Sequence, residues 1–303
     1  MPGATLRSRL KKLVFLVFLG VAVWLGLSFL AIRQMTSRQF VPFPEPVPPV
    51  SWGSFSPEQL TTVDGQTLGM WFLPGRSDRP PVFLLHGFGE SRKQCLPQAE
   101  IAAKLGHPVL MLSFRAHGDS TGDRSDIGWT DRHDVLAAME WLREKYPNRK
   151  IILWGQSMGA AAALFAAAED GKQVEKLILE CPYSDLRTAT WNRIGLHLPW
   201  GLQHITYWGA TLAGPWVLPH LDDISPLKAA SRVDRALPAL ILAGGCDTRA
   251  TPAESEAIAA ALGPHTHLYI FPKADHVQLR ESDQKGYRER VEEFLRKDST
   301  VSP

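Results

Sequence analysis

Five residues, Gly155-Gln156-Ser157-Met158-Gly159, join an apolar run (KIILW, 150–154) to an alanine-rich one (MGAAAALFAAAED, 158–170). The first run reads as a short buried strand and the second as a helix, so the five residues at their junction must turn sharply. Glycine at both flanks removes the Cβ atoms that would strike the neighbouring strand or helix. Such a turn lifts the Ser157 hydroxyl above the strand ends, with the free N–H groups of a helix N-terminus aimed at any anion formed there. Ser157 is therefore the candidate nucleophile.

The rest of the chain alternates in the same way. QLTTVDGQTLGMWFLP reads as two strands around Asp64-Gly65, a hairpin turn pair. Apolar strand runs follow at 81–87, 108–118, 174–182, 238–245 and 265–272. Helical patterns lie at 91–106, 131–147, 252–262 and 282–297. Alternating strands and helices predict a mostly parallel sheet covered by helices on both faces. In such sheets ligands sit at the carboxyl ends of the strands, which directs attention to the residues just after each one.

Two further strand ends carry chemistry. After PALILAGG comes Cys246-Asp247, and after HTHLYIFP comes Lys273-Ala274-Asp275-His276. His276 can take the serine proton, and Asp247 can hold the imidazole in the tautomer that does so. Asp275 is a rival acid, disfavoured because adjacent side chains rarely reach each other's far ring nitrogen. The strand PVFLL runs into His86-Gly87-Phe88-Gly89. With a serine on such a turn, the oxyanion is met by the N–H of the next residue and one from this neighbouring loop, which assigns Met158 and Phe88. His117, in FRAHGDS, is expected to shape the floor of the site, with Arg115 and Asp119 bracing that loop as an ion pair. Asp131, His133 and Asp134 fall too close together on a helix to converge on a metal, and no metal site is expected.

Composition removes other classes. Net charge is +2 and no basic tract suggests nucleic acid. The three cysteines, Cys95, Cys181 and Cys246, form no CxxC pair. Cys246 is expected to be a small packed residue at a strand end.

The N-terminus is unlike the rest. Residues 13–32 (LVFLVFLGVAVWLGLSFLAI) contain no charge and suffice to cross a hydrocarbon core of about 30 Å. Arg7, Arg9, Lys11 and Lys12 precede the run, whereas Arg33 and Arg38 follow. This bias places residues 1–12 in the cytoplasm and the remaining chain on the exported side. The segment reads as an uncleaved signal-anchor; a signal peptide cleaved near Gly26-Leu27-Ser28 is the competing reading. Residues 33–57 include VPFPEPVPPV and read as a proline-rich linker, extended enough to act as a spacer. The remaining chain divides into a domain at 58–298 and a tail at 299–303.

Together HGFGES, FRAHGDS, GQSMG, CPYSDL, DISPL, CDTRATP and ADHVQL resemble the α/β-hydrolase superfamily. More narrowly, the set resembles its membrane-anchored Bem46-like or ABHD-type serine hydrolases. The resemblance implies the α/β-hydrolase fold with a small helical cap at about 184–225, and an esterase, thioesterase or lipase acting on acyl substrates without a cofactor. It carries over Ser157, Asp247, His276, Phe88 and Met158. The cap segment holds Trp191, Trp200, Trp208 and Trp216, candidates for contact with an acyl chain, for the bilayer interface or for packing within the cap, with Pro199 and Pro215 as breaks between helices. Hydrolysis of a carboxylic or lipid ester through an acyl-enzyme is the expectation. A related serine peptidase and a catalytically silent binding module are the alternatives, and the oligomeric state is left open.

Overall fold

In the computed structural model, which describes residues 3–276 and 278–297, the proposed tail at 299–303 lies outside the described residues. Strands β1 (Ser56–Thr61) and β2 (Thr67–Leu73) form the hairpin around Asp64-Gly65, with Thr61 opposite Thr67. They are followed by β3 (Val82–Leu85), β4 (Val109–Leu112), β5 (Ile151–Gln156), β6 (Val174–Glu180), β7 (Ala239–Gly244) and β8 (Thr266–Phe271). One sheet results, in the order β1-β2-β4-β3-β5-β6-β7-β8. β2 runs antiparallel to β4, and the strands from β4 to β8 are mutually parallel.

The central strands are apolar throughout because both faces are covered. Phe83, Leu85, Leu110, Leu112 and Ile241 belong to the core on one face; Val82, Leu84, Val109, Met111 and Leu242 belong to the other. The first face is covered by α3 (Arg132–Lys145), α4 (Met158–Asp170) and α8 (Pro252–Leu262). In α3, Val135, Ala138, Met139 and Leu142 recur at three- and four-residue spacing and are buried. The second face is covered by α2 (Leu96–Lys104) and α10 (Gln284–Arg296). Short α7 (Pro226–Ala230) and α9 (Leu279–Ser282) were not evident in the sequence pattern.

Between β6 and α7 the cap is a pair of helices, α5 (Leu186–Gly195) and α6 (Trp200–Val217). Pro199 caps α6. Pro215 does not break the pair as expected: it lies inside the last turn of α6, and the Leu218 N–H still bonds to the Gly214 carbonyl.

The N-terminal apolar run lies within one continuous helix, α1 (Gly3–Thr36). Among the described residues it is the one helix long and apolar enough to cross a membrane. Its last turns are not free. Trp24, Leu25, Ser28, Phe29 and Ile32 are half-buried at three- and four-residue spacing, and Phe29 and Ile32 pack against the core that also holds α4 and the cap base.

The proline-rich segment does not hang between helix and domain as a spacer. Arg38 donates through its guanidinium to the Gly118, Ser120 and Gly122 carbonyls. Glu45 is fully buried against Arg92 and Ser113, and its carbonyl accepts from Trp71 Nε1. Val47, Val50 and Trp52 pack on the second core. The spacer expectation weighed proline content alone; buried hydrogen bonds and an ion pair outweigh that preference here.

Candidate active site

The residues named from sequence meet at the carboxyl edge of the sheet. Ser157 follows β5 with φ +52° and ψ −110°, a conformation costing an L-residue about 1–3 kcal/mol. It is held from below, where the Ser157 N–H donates to the Glu180 carbonyl at 2.8 Å. The flanking glycines are needed: a Cβ at Gly155 would strike the Gly159 backbone, and one at Gly159 would strike the Leu85 carbonyl on β3.

Asp247 lies just past β7, His276 just past β8. His276 Nε2 is 3.0 Å from Ser157 Oγ, and His276 Nδ1 is 2.7 Å from Asp247 Oδ2. Oδ1 of the same carboxylate accepts from the Arg249 and Ala250 N–H groups at 2.8 and 3.0 Å, so both oxygens are fixed. The loop is locked further on, where Thr251 and Glu254 form a capping box that starts α8. The rival acid Asp275 turns elsewhere: its Oδ1 accepts from the His276 backbone N–H at 2.7 Å. In this line Nδ1–H faces a carboxylate and Nε2 can accept the serine hydrogen, the arrangement required for an imidazole to act as a base.

The loop after β3 carries Phe88 beside Ser157 in one cavity, and Met158 opens α4. His117 stands behind this loop. Its Nε2 accepts from the Gly89 N–H at 3.1 Å and its Nδ1–H donates to the Arg115 carbonyl at 2.8 Å. Burial pushes its pKa down to about 4. His86 does the same one layer deeper, accepting from the Phe114 N–H at 3.0 Å and held far below its ordinary range by burial. The expected Arg115–Asp119 pair does not form. Arg115 binds Asp134 and Asp64, whereas Asp119 binds Arg92. Its salt-bridge hydrogen bond to Arg115 lowers the Asp64 carboxyl to about 2.

The sequence reading missed Glu180. Its buried carboxylate accepts from Trp154 Nε1 and Tyr287 OH, both at 2.6 Å, and from Gln156 Nε2 at 3.2 Å. It thereby grips the residue before Ser157. The one signal was a glutamate ending the apolar run VEKLILE.

Among the described residues, Cys181, Asp247 and His276 form a group with ligand atoms within 4.8 Å. The hydrogen bonds to Asp247 and Ser157 already engage both imidazole nitrogens, so the donor set fits proton transfer better than metal ligation. Asp134 is committed to Arg115, and Asp131 accepts from Ser125 and Gly128. Cys246 is exposed rather than packed.

Ser157 and His276 open into a cavity of about 610 Å³. Its lining is largely apolar and includes Phe88, Ile127, Leu186, Ile194, Leu218 and Leu221. None of Trp191, Trp200, Trp208 and Trp216 lines it. Trp191 packs on His204 and Tyr207 within the cap, with ring centroids 4.8 and 5.1 Å away. Trp200, Trp208 and Trp216 point outward and are 75, 56 and 71% exposed. Part of the wall comes instead from α1, through Ser28, Ala31, Ile32, Met35 and Thr36.

A family model of the alpha/beta hydrolase fold matches residues 80–214, which span β3, the Ser157 turn and most of the cap. The chain has the α/β-hydrolase fold. Protein bem46 of Schizosaccharomyces pombe is 26% identical over 81% of this chain and 78% of that protein. Lysophosphatidylserine lipase ABHD12 of Gallus gallus is 29% identical over 39% of this chain and 32% of its own length. These similarities support an α/β-hydrolase of the Bem46/ABHD type. Among solved structures, a Pyrococcus furiosus esterase superposes with a TM-score of 0.67 over 86% of this chain and 100% of that one, at 24% identity, a likeness of fold.

Proposed function

We propose that this α/β-hydrolase is a serine esterase acting on acyl esters through a covalent intermediate on Ser157. The observation that carries the reading is the Ser157–His276–Asp247 line, with its distances of 3.0 and 2.7 Å. Ser157 Oγ attacks the ester carbonyl carbon while His276 Nε2 takes its proton. Asp247 stabilises the imidazolium and keeps the ring in register. The N–H groups of Phe88 and Met158 are the donors offered to the oxyanion. On collapse the bond to the alcohol oxygen breaks, and His276 returns the proton to that oxygen. Water then repeats the attack on the acyl-enzyme, restoring Ser157 and releasing the acid. An apolar cavity of about 610 Å³ suits an acyl chain, and a lysophosphatidylserine lipase among the relatives favours a lipid ester.

The enzyme is anchored by α1 as a single span. The four basic residues before the span put its N-terminus in the cytoplasm and the hydrolase domain on the exported side.

The test is fluorophosphonate labelling of the full-length protein in detergent, with the modified residue located by mass spectrometry. Label on Ser157, abolished by His276→Ala, supports the reading. A folded protein that takes no label at Ser157 overturns it.

A further inference from the structure

Much of one face of α6 lies open among the described residues. Leu202, Ile205, Trp208, Leu212 and Trp216 are all exposed, and at 100° per residue they fall within about 120° of the helix circumference. Among the described residues outside α1, every exposed large apolar side chain except Val63 belongs either to the cap, between Leu196 and Trp216, or to Phe40, Val41 and Phe43 just after α1. Apolar surface collected on one face marks a contact with an apolar partner.

The partner is identified by what α6 already touches. α6 packs along the domain-side half of α1. A Cβ at Gly209 would collide with Ser28 Oγ and the Trp24 indole, so the two helices meet backbone-close at a small residue. From Trp24 to Ile32 the helix rises about 12 Å. Both residues lie inside the uncharged run at 13–32. An element lying beside that stretch therefore lies at the same depth. On α6, Gly209 meets α1 within the arc of the stripe, between Trp216 and Leu202, whereas Thr206, Tyr207, Ala210 and Gly214 lie on the cavity side.

We propose that α6 is a second membrane-embedded element, seated in the exported leaflet beside α1, and that the cavity over Ser157 takes its substrate from the bilayer along these two helices. The partner of the stripe is lipid, and the substrate class is an ester whose acyl chain resides in the membrane. This inference rests on the esterase and single-span readings. It adds that the anchor is a wall of the active site, not only a tether. The α1 residues Ser28, Ala31, Ile32 and Met35 line the same cavity as Ser157 and His276, so an acyl chain held there stays against the span.

Two measurements on the full-length protein in phosphatidylcholine vesicles decide it. In a Cys246→Ala background, an environment-sensitive dye is placed on Leu212→Cys or, as the aqueous reference, on Val63→Cys in the hairpin. Quenching of the Leu212 dye by spin-labelled lipid, with protection from aqueous iodide, supports embedding; iodide quenching equal to that at Val63 overturns it. Protein that does not float with the vesicles overturns both this inference and the single-span reading. The second measurement compares Ile205→Asp/Leu212→Asp with the parent. A fall of more than about tenfold on a long-chain ester in vesicles, with hydrolysis of a short soluble ester kept, is expected. An equal rate on the vesicle ester overturns the bilayer route. Loss on both esters together with loss of Ser157 labelling reports misfolding, and the dye result then decides. If the parent hydrolyses neither ester, the esterase reading has failed, whereas the dye result stands independently.

Discussion

Glu45 and Arg92, 47 residues apart, form an ion pair hidden from solvent, with Oε2 and Nη1 3.0 Å apart and side chains 0 and 2% exposed. Arg92 also bridges to Asp119 and reaches the Glu45 carbonyl. The chain leaving α1 is thus riveted to the loop behind the active site. Removing one member of such a pair strands a buried charge, at a cost of about 3–5 kcal/mol. Arg92→Leu is expected to lower the unfolding free energy by that amount. Urea denaturation in detergent followed by tryptophan fluorescence checks it, and a change within about 1 kcal/mol would refute the burial argument.

The two aspartates near His276 are expected to separate sharply. Asp247→Asn should reduce kcat on a soluble ester by roughly 10⁴-fold, because the imidazole loses its orienting acceptor. Asp275→Asn removes only a bond to the His276 backbone N–H, and should cost less than about tenfold. The kcat values of the two variants, measured side by side at neutral pH, test the assignment.

His117 sets an acid limit on stability. Its folded pKa of about 4 lies below its ordinary 6.5. Between these values the unfolded chain binds a proton that the folded chain refuses. Stabilisation present above pH 6.5 is therefore lost as pH falls toward 4, by at most about 3 kcal/mol. Protonation also turns the acceptor of the Gly89 N–H into a donor. Unfolding measured from pH 7 to 4 should show a shallower acid decline in His117→Gln than in the parent. Identical slopes would count against the assignment.

Arg193 and Arg249 both line the cavity over Ser157. Burial lowers the Arg193 pKa, with the Arg249 charge adding to it, and among the described residues no carboxylate pairs with Arg193. An uncompensated cation beside the site favours a substrate carrying an anionic group. Arg193→Met is expected to raise Tm slightly while raising KM for a phosphate- or carboxylate-bearing ester by about tenfold. The KM for a neutral ester of the same acyl length should move much less; equal changes would remove the anion argument.

Much of the site was legible because its residues sit in short segments with strict local demands. Gly155 and Gly159 are glycine because backbone lies where their Cβ atoms would go. Asp247 and His276 follow apolar strands, and the sheet brings strand ends together whatever the loops do. The hairpin at Asp64-Gly65 was legible for the same local reason. Glu180, His86 and the Arg115–Asp134 pair were not, since their roles depend on partners 19 to 107 residues away or on burial alone.

The sequence by itself determined the parallel sheet, the Ser157 turn, the placing of Asp247 and His276 after strands, and the uncharged N-terminal run. Each follows from periodicity or from steric limits acting within a few residues. Only the tertiary structure decided that the proline-rich segment is bolted to the domain, that the cap tryptophans turn away from the cavity, and that α1 supplies part of its wall. Composition cannot register these features, because an apolar helix surface has the same sequence signature whether it meets lipid, another helix or an acyl chain. What separates the three is which surface lies opposite, and that is set by packing between segments far apart in the chain.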